Sequence, residues 1–173
     1  MGIEFHPRLA IVVIILTIVV AVAGWRIFRE SGALRIKELT GEAMAVFVSL
    51  QEESASMDSM DLAEAEKRIF DFSGVLVNLP RDDSGFIVFA VEKWTMRKRP
   101  AVGVRFSYEN GRHMLVVSRK DFKRKSPFPD ESLLSGELDG CSFVFWERED
   151  ASFIMVSDTD VMQAFRLVRN FFN

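Results

Sequence analysis

Residues 100–118 read PAVGVRFSYENGRHMLVVS, and this stretch decides the fold. Its first half alternates apolar residues with small or polar ones, which is the period of a strand with two unlike faces. Asn110-Gly111 follows, and both residues tolerate the positive φ of a two-residue hairpin turn. The chain then returns through a second apolar run, His113 to Ser118. The stretch therefore predicts an antiparallel hairpin.

Further strands are predicted on both sides of this hairpin. Residues 86–96 are typical of a largely buried strand, and residues 141–147 and 153–157 of two more. Residues 120–139 are interpreted as a loop. The sum is an α+β domain over residues 54–173, with an antiparallel meander of about five strands and flanking helices.

Two helices are predicted within this domain. Residues 54–61 have the composition of a linker, and Asp58 or Ser59 can cap a helix that continues through Phe70. The candidate caps of a C-terminal helix are Ser157, Asp158 and Thr159. Its apolar residues recur at helical spacing: Val161, Phe165, Val168 and Phe172. This spacing predicts a helix face that packs on the core.

The N-terminal part of the chain predicts a membrane anchor. Residues 9–25, LAIVVIILTIVVAVAGW, carry no charge, and a helix over residues 9–28 is long enough to cross the hydrocarbon core. Residues 1–8 are then a short tail. The alternative is a cleavable signal peptide, because Arg8 supplies a positive start and residues 21–23 are a small-x-small cleavage pattern. The apolar run is longer than a typical signal core, which favours a retained span.

An amphipathic stalk helix is predicted after the span, over residues 29–53. Its apolar residues recur in steps of three and four: Ile36, Leu39, Ala43, Val46 and Leu50. Such a stripe packs either on the chain's own globular domain or on a partner helix or subunit. The candidate partner-binding residues are Ile36, Leu39, Val46 and Leu50.

The order of landmarks in the C-terminal hundred residues resembles a known family. The landmarks are Leu79-Pro80, Gly85-Phe86, Pro100-Ala101-Val102, Phe106-Ser107-Tyr108, Gly111-Arg112, Phe145-Trp146-Glu147, Phe153 and Val156-Ser157-Asp158. This pattern resembles the extracytoplasmic domain of bacterial single-pass anti-sigma factors, and it implies a sensory or scaffold domain outside the membrane. Those proteins hold the sigma factor with a cytoplasmic helical domain, often with a His and Cys zinc site. Residues 1–8, with His6 alone, cannot replace that domain, so sigma-factor binding is not expected.

The charges that flank the span point to the opposite orientation. The positive residues that follow it closely are Arg26, Arg29, Arg35 and Lys37, whereas Arg8 precedes it. The positive-inside rule alone would therefore place the domain in the cytoplasm, although large domains can translocate despite such charges. With the resemblance added, we expect a single-pass protein of the bacterial inner membrane with a periplasmic C-terminal domain.

The sequence offers no candidate catalytic residue, cofactor site or metal site. It has no Gly-x-Ser-x-Gly, no phosphate-binding loop and no His-Glu-x-x-His. His113 is interpreted as a surface residue beside a turn, and Cys141 as a buried, inert thiol. A net charge of -3 excludes the strongly basic balance of a dedicated nucleic-acid binder.

Two basic clusters are candidates for contact with lipid headgroups or with an acidic partner. The first contains Lys93 with Arg97, Lys98 and Arg99, and the second contains Lys120 with Lys123, Arg124 and Lys125. Solvated loop charge is the simpler interpretation of both. Near a membrane, however, each Lys or Arg adds about 1 kcal/mol of attraction to anionic lipid.

These patterns lead to two functional hypotheses. The first is a membrane-anchored, non-catalytic interaction module that serves as an accessory or assembly subunit of a bacterial envelope membrane complex. Its partners would be other membrane protein subunits and the lipid bilayer, not nucleic acid. The alternative is an envelope sensor or regulator, similar to anti-sigma factors, that relays a signal through its transmembrane helix.

Overall fold

The computed structural model describes most of the chain beyond its apolar N-terminal run. The described residues are Leu34 and residues 36–50, 58–81, 85–119, 133–148 and 151–172. The predicted span over residues 9–28 lies outside them, as do Lys123, Arg124 and Lys125. No helix within the described ranges combines the length and the apolar composition needed to cross a membrane.

Three helices and six strands are described, which confirms the α+β class. The helices are α1 (residues 36–50), α2 (Leu62–Ser73) and α3 (Val161–Phe171). The strands are β1 (Ile87–Met96), β2 (Arg99–Tyr108), β3 (Gly111–Arg119), β4 (Leu134–Leu138), β5 (Cys141–Arg148) and β6 (Ala151–Ser157). The sequence predicts a stalk helix over residues 29–53, outside a globular domain of residues 54–173. The compact unit of the structure extends over Ile36–Asn173 and includes α1.

The six described strands form one antiparallel sheet in the order β1-β2-β3-β6-β5-β4. This arrangement corrects the predicted meander of about five strands. The sheet consists of two three-stranded meanders, and β3 pairs with β6 to join them, from His113 opposite Ser157 to Arg119 opposite Ala151. Consequently β1 and β4 form the two edges of the sheet.

Strand β4 lies in the stretch that the sequence analysis interpreted as a loop. Its sequence, LSGEL, has little of the β-branched and aromatic character that marks strands. The turn that follows carries the missed signal, because Asp139-Gly140 is a hairpin dipeptide and both residues have positive φ, 49° and 79°. Leu138 pairs with Cys141 across this turn.

The central hairpin turns one residue earlier than predicted. Tyr108 pairs with Gly111, so the two turn residues are Glu109 and Asn110, with φ of 47° and 65°. Gly111 is needed for space instead, because a Cβ atom there would lie 2.4 Å from Cγ2 of Thr159. The glycine allows the segment before α3 to lie against the start of β3.

Helices cover the sheet on both faces. Helices α2 and α3 bury one face, with a cluster that includes Val104, Leu115 and Trp146. Helix α1 packs on the other face, where Met44 and Phe47 join a second buried cluster. This double cover explains why both faces of β2 are buried, although its alternating sequence predicted two unlike faces.

The helix caps follow the predicted chemistry but lie further along the chain. Helix α2 is capped by Asp61, whose Oδ2 accepts hydrogen bonds from the N–H groups of Ala63 and Glu64 at 3.0 and 3.1 Å. Helix α3 is capped by Asp160 in the same way. In α3 the residues buried on the sheet are Ala164, Leu167 and Val168, followed by Phe172, while Val161 and Phe165 are half-buried.

Candidate protein-binding groove

A groove of about 350 Å³ lies between α1 and the edge strand β1. Its lining residues are Glu42 and Val46 from α1 and Lys93, Trp94, Thr95 and Met96 from β1. Apolar side chains thus adjoin one acidic and one basic residue. A buried apolar centre with a polar rim is typical of protein–protein interfaces.

The position of Trp94 depends on a glycine in the neighbouring strand. A Cβ atom at Gly103 would lie 2.9 Å from Cζ2 of Trp94, so the bare backbone of Gly103 leaves space for the indole ring. Trp94 and Val46 are both half-buried, and they leave part of their apolar surface in the groove. Half-exposed tryptophan is among the side chains most enriched at interaction sites.

The outer edge of β1 is covered at its beginning. The backbone N–H of Met60 donates a hydrogen bond of 2.7 Å to the carbonyl of Val88. Among the described residues this is the one bridge outside the six strands, and the groove lies further along β1, at residues 93–96. Within the described ranges no strand pairs with the outer edge of β1 at residues 93–96. A strand edge beside a pocket is an arrangement that can bind an added strand.

The four predicted partner-binding residues of α1 occupy different surroundings. Ile36 is buried against the chain's own sheet, and half-buried Leu39 packs on the same cluster. Val46 lines the groove, and Leu50 lines a separate small cavity. Ile36 and Leu39 therefore pack on the chain's own domain, which is one of the two predicted alternatives for the stripe. Val46 remains available to a partner.

The first basic cluster lies at the turn between β1 and β2. Arg97 and Lys98 have positive φ, 49° and 65°, and both are exposed, as is Arg99 at the start of β2. The Arg97 guanidinium forms an ion pair with Glu38 of α1. This contact places the basic turn beside the beginning of α1. The second cluster lies outside the described residues.

His113 is buried, with 3% of its surface exposed, although the sequence analysis placed it at the surface. The turn lies nearby, but β3 is an interior strand of the sheet and His113 stacks on Phe106, with 5.1 Å between ring centroids. Its Nε2 donates a hydrogen bond of 3.3 Å to the Tyr108 carbonyl. Burial lowers the pKa of His113 more than this hydrogen bond and the carboxylates of Asp158 and Glu109 raise it.

We expect this burial to make the domain less stable in mild acid. The pKa of His113 in the folded state lies below its ordinary value of 6.5, so the unfolded state binds more protons as the pH falls. The contribution of neutral His113 to the free energy of unfolding is fully present above pH 6.5. It is lost as the pH falls through 6.5 towards the lower pKa of the folded state. We expect the free energy of unfolding to fall by at most about 1.4 kcal/mol for each pH unit in this range.

Urea unfolding at pH 7.5, 6.5 and 5.5, roughly one unit on each side of the ordinary pKa of histidine, measures this slope. The variant His113→Asn should show a flatter dependence, because asparagine does not titrate. His6 is present in both proteins and cancels in the comparison. Equal slopes for the parent and the variant would contradict the assignment to His113.

Cys141 is buried, as predicted. Burial is the main cause that raises the pKa of its thiol, followed by the charges of Asp158 and Asp139. A raised pKa keeps the thiol protonated and unreactive near neutral pH.

Trp94 was not identified from the sequence as a groove residue, and Lys93 was identified only as a member of the first basic cluster. Both were part of a predicted buried strand, and their position at a sheet edge depends on the strand order. A strand order that includes long-range pairing leaves no local signal in the sequence.

Comparison of the chain with protein-family models, characterised proteins and solved structures finds no match. The resemblance to anti-sigma factors therefore remains a prediction from the landmark pattern.

Proposed function

We propose that this protein is a membrane-anchored, non-catalytic interaction module, an accessory or assembly subunit of a bacterial envelope membrane complex. The observation that carries the proposal is the groove between α1 and β1, where Val46 and Trp94 present apolar surface beside the charged residues Glu42 and Lys93. The anchor is the apolar run of residues 9–28, and we place the domain in the periplasm.

The groove suits a segment of another membrane subunit. An apolar side chain of the partner would displace water from Val46 and Trp94, at about 25 cal/mol per Å² of buried apolar surface. Glu42 and Lys93 would select the charges that flank that side chain. The backbone of β1 beside the groove offers hydrogen-bonding groups to an extended segment.

The basic turn supports a second contact, with the bilayer. Glu38 follows Phe28, the last residue of the predicted span, by ten residues, which can extend over at most about 35 Å. The ion pair between Glu38 and Arg97 joins the basic turn to the beginning of α1. Arg97, Lys98 and Arg99 would then attract anionic headgroups.

The test replaces Val46 by Glu in the full chain and measures the partner subunits that co-purify from solubilised membranes. A carboxylate placed in a dry interface costs about 3 kcal/mol, so we expect binding to weaken about 100-fold. Val48→Glu is the matched control, because Val48 lies on the same helix with 50% of its surface exposed, outside the groove.

The two variants must accumulate in the membrane to the same level, which separates lost binding from misfolding. Loss of partners with Val46→Glu and retention with Val48→Glu is the expected result. Equal recovery of partners with both variants would exclude the groove as the binding surface.

A further inference from the structure

The outer edge of β1 beside the groove carries backbone groups whose direction follows from the β1–β2 turn. Met96 pairs with Arg99, and the two residues between them have positive φ. In such a turn the carbonyl of Met96 accepts a hydrogen bond from the N–H of Arg99, so it points towards β2. The register is regular from Ala90 to Met96, and backbone groups of successive residues in an antiparallel strand point to alternate sides. The N–H and carbonyl groups of Lys93 and Thr95 therefore point away from β2.

The side chains of β1 alternate between the two faces of the sheet along this edge. Met96 and Trp94 belong to the cluster that α1 covers, whereas Val91 belongs to the cluster that α2 and α3 cover. Lys93 and Thr95 share the face of Val91, and both are exposed. In a strand added to this edge, the side chain opposite Trp94 would enter the groove, and the side chain opposite Lys93 would lie on the other face.

The charged and apolar residues follow a fixed order along the groove. Glu38 forms an ion pair with Arg97 of the β1–β2 turn, and Glu42 lies about one helical turn after Glu38. Val46 follows after another turn, so α1 leads away from the β1–β2 turn along the groove. An acidic side chain therefore borders the end of the groove at Met96, and apolar surface lies further along.

We propose that the edge of β1 binds an extended segment of another protein as an added antiparallel strand. From its N-terminus the segment has a basic, a β-branched, an apolar and an acidic residue. This inference rests on the proposed function of the groove, and it adds the orientation and the chemistry of the bound segment. An antiparallel strand is favoured because its pairing is slightly more stable for each residue than parallel pairing.

Each position of the bound segment follows from the residue of β1 that it faces. The basic side chain lies opposite Met96, beside Glu42, and the apolar side chain lies opposite Trp94 in the groove. The β-branched residue faces Thr95 and exchanges two backbone hydrogen bonds with it. The acidic residue pairs with Lys93, both through the backbone and through its charge.

A second copy of this chain fits the edge less well. If two β1 strands paired through Trp94 about a two-fold axis, each Lys93 would face Thr95 of the other copy and lie diagonal to the other Lys93. The two ammonium groups would repel each other, and an edge lysine is a common device against pairing of identical edges. An acidic residue of a different protein removes this repulsion.

The test measures binding of a synthetic peptide to the full chain in a nonionic detergent by fluorescence anisotropy. The forward peptide is fluorescein-labelled Ser-Thr-Lys-Thr-Leu-Asp-Thr-Ser. The same peptide with its sequence reversed is the control, because it has the same composition and adsorbs equally to detergent. We expect the forward peptide to bind at least about tenfold more tightly than the reversed peptide.

Variants at two positions of β1 test the pairing. Thr95→Pro removes an outward N–H and leaves the ladder with β2 intact, whereas Thr95→Ala keeps that N–H. We expect the proline variant to bind the forward peptide about tenfold more weakly, and the alanine variant to change binding by less than about threefold. Lys93→Glu should lose the forward peptide and bind the peptide in which lysine replaces aspartate. Lys93 is exposed, so this charge exchange decides the outcome if Thr95→Pro does not fold.

Three results would overturn the proposal. These are equal binding of the forward and reversed peptides, no binding of the forward peptide, and self-association of the full chain that Thr95→Pro abolishes. The last result would assign the edge to a second copy.

Co-purification separates this inference from the proposed function. Loss of partner subunits with Val46→Glu but full recovery with Thr95→Pro would reject strand addition and retain the groove. Full recovery with both variants would reject the groove as well.

Discussion

Replacing Ala43 by Glu should destabilise the domain by about 3 to 5 kcal/mol, because it buries a charge without a partner. Ala43 is 0% exposed and belongs to the cluster in which α1 packs on Met114 and Val116 of the sheet. Since ordinary domains are stable by only about 5–15 kcal/mol, this one change should remove a large part of the total. Urea unfolding of the full chain in a nonionic detergent measures the loss.

Ala45→Glu is the matched control for this prediction. Ala45 lies two residues along the same helix and is exposed, so the same substitution should change the free energy of unfolding by less than about 0.5 kcal/mol. A large loss with Ala43→Glu alone is expected if α1 is part of the domain. A helix that acts only as a stalk would tolerate both changes equally.

Replacing Trp146 by Ala should cost about 3 to 5 kcal/mol, the range found when a buried aromatic ring is removed from a core. Trp146 is 0% exposed and is the largest of the fully buried side chains described. Its ring stacks on Phe153 with 5.0 Å between centroids and 9° between planes. Urea unfolding measures the loss, and near-ultraviolet circular dichroism should show that the aromatic packing is altered.

Trp146→Phe separates the contribution of packing from that of the indole N–H. The Nε1 atom of Trp146 has no hydrogen-bond partner among the described residues, so phenylalanine removes no hydrogen bond of the fold. We expect a loss of at most about 1.5 kcal/mol, because most of the apolar volume remains. A loss as large as that of Trp146→Ala would show that the N–H is needed.

Local features of the structure were predicted well from the sequence. The hairpin between β2 and β3 was located within one residue, because alternation and turn residues act over a few neighbouring positions. The caps were placed one to three residues early, since several Asp, Ser and Thr residues precede each helix and any of them can cap it. The helix of residues 36–50 was recognised from its apolar stripe.

The candidate sites were predicted only in part. Val46 was identified from the stripe and lines the groove, but the stripe could not show that Ile36 would pack on the chain's own sheet. Arg105 was assigned to the polar side of a strand, where an arginine is ordinarily solvated. Its burial follows from the position of α1, a contact between segments more than fifty residues apart.

By itself the sequence determined the α+β class, the central hairpin and the existence of amphipathic helices, because these depend on periodicity and turn chemistry within short windows. Only the tertiary structure decided that β3 pairs with β6, that β1 is an edge and that helices cover both faces of the sheet. Pairing and packing between distant segments depend on the combined burial of many side chains. This combined burial places Trp94 beside Val46, and it places Arg105 against the cavity at the end of α1. No local pattern of residues predicts either position.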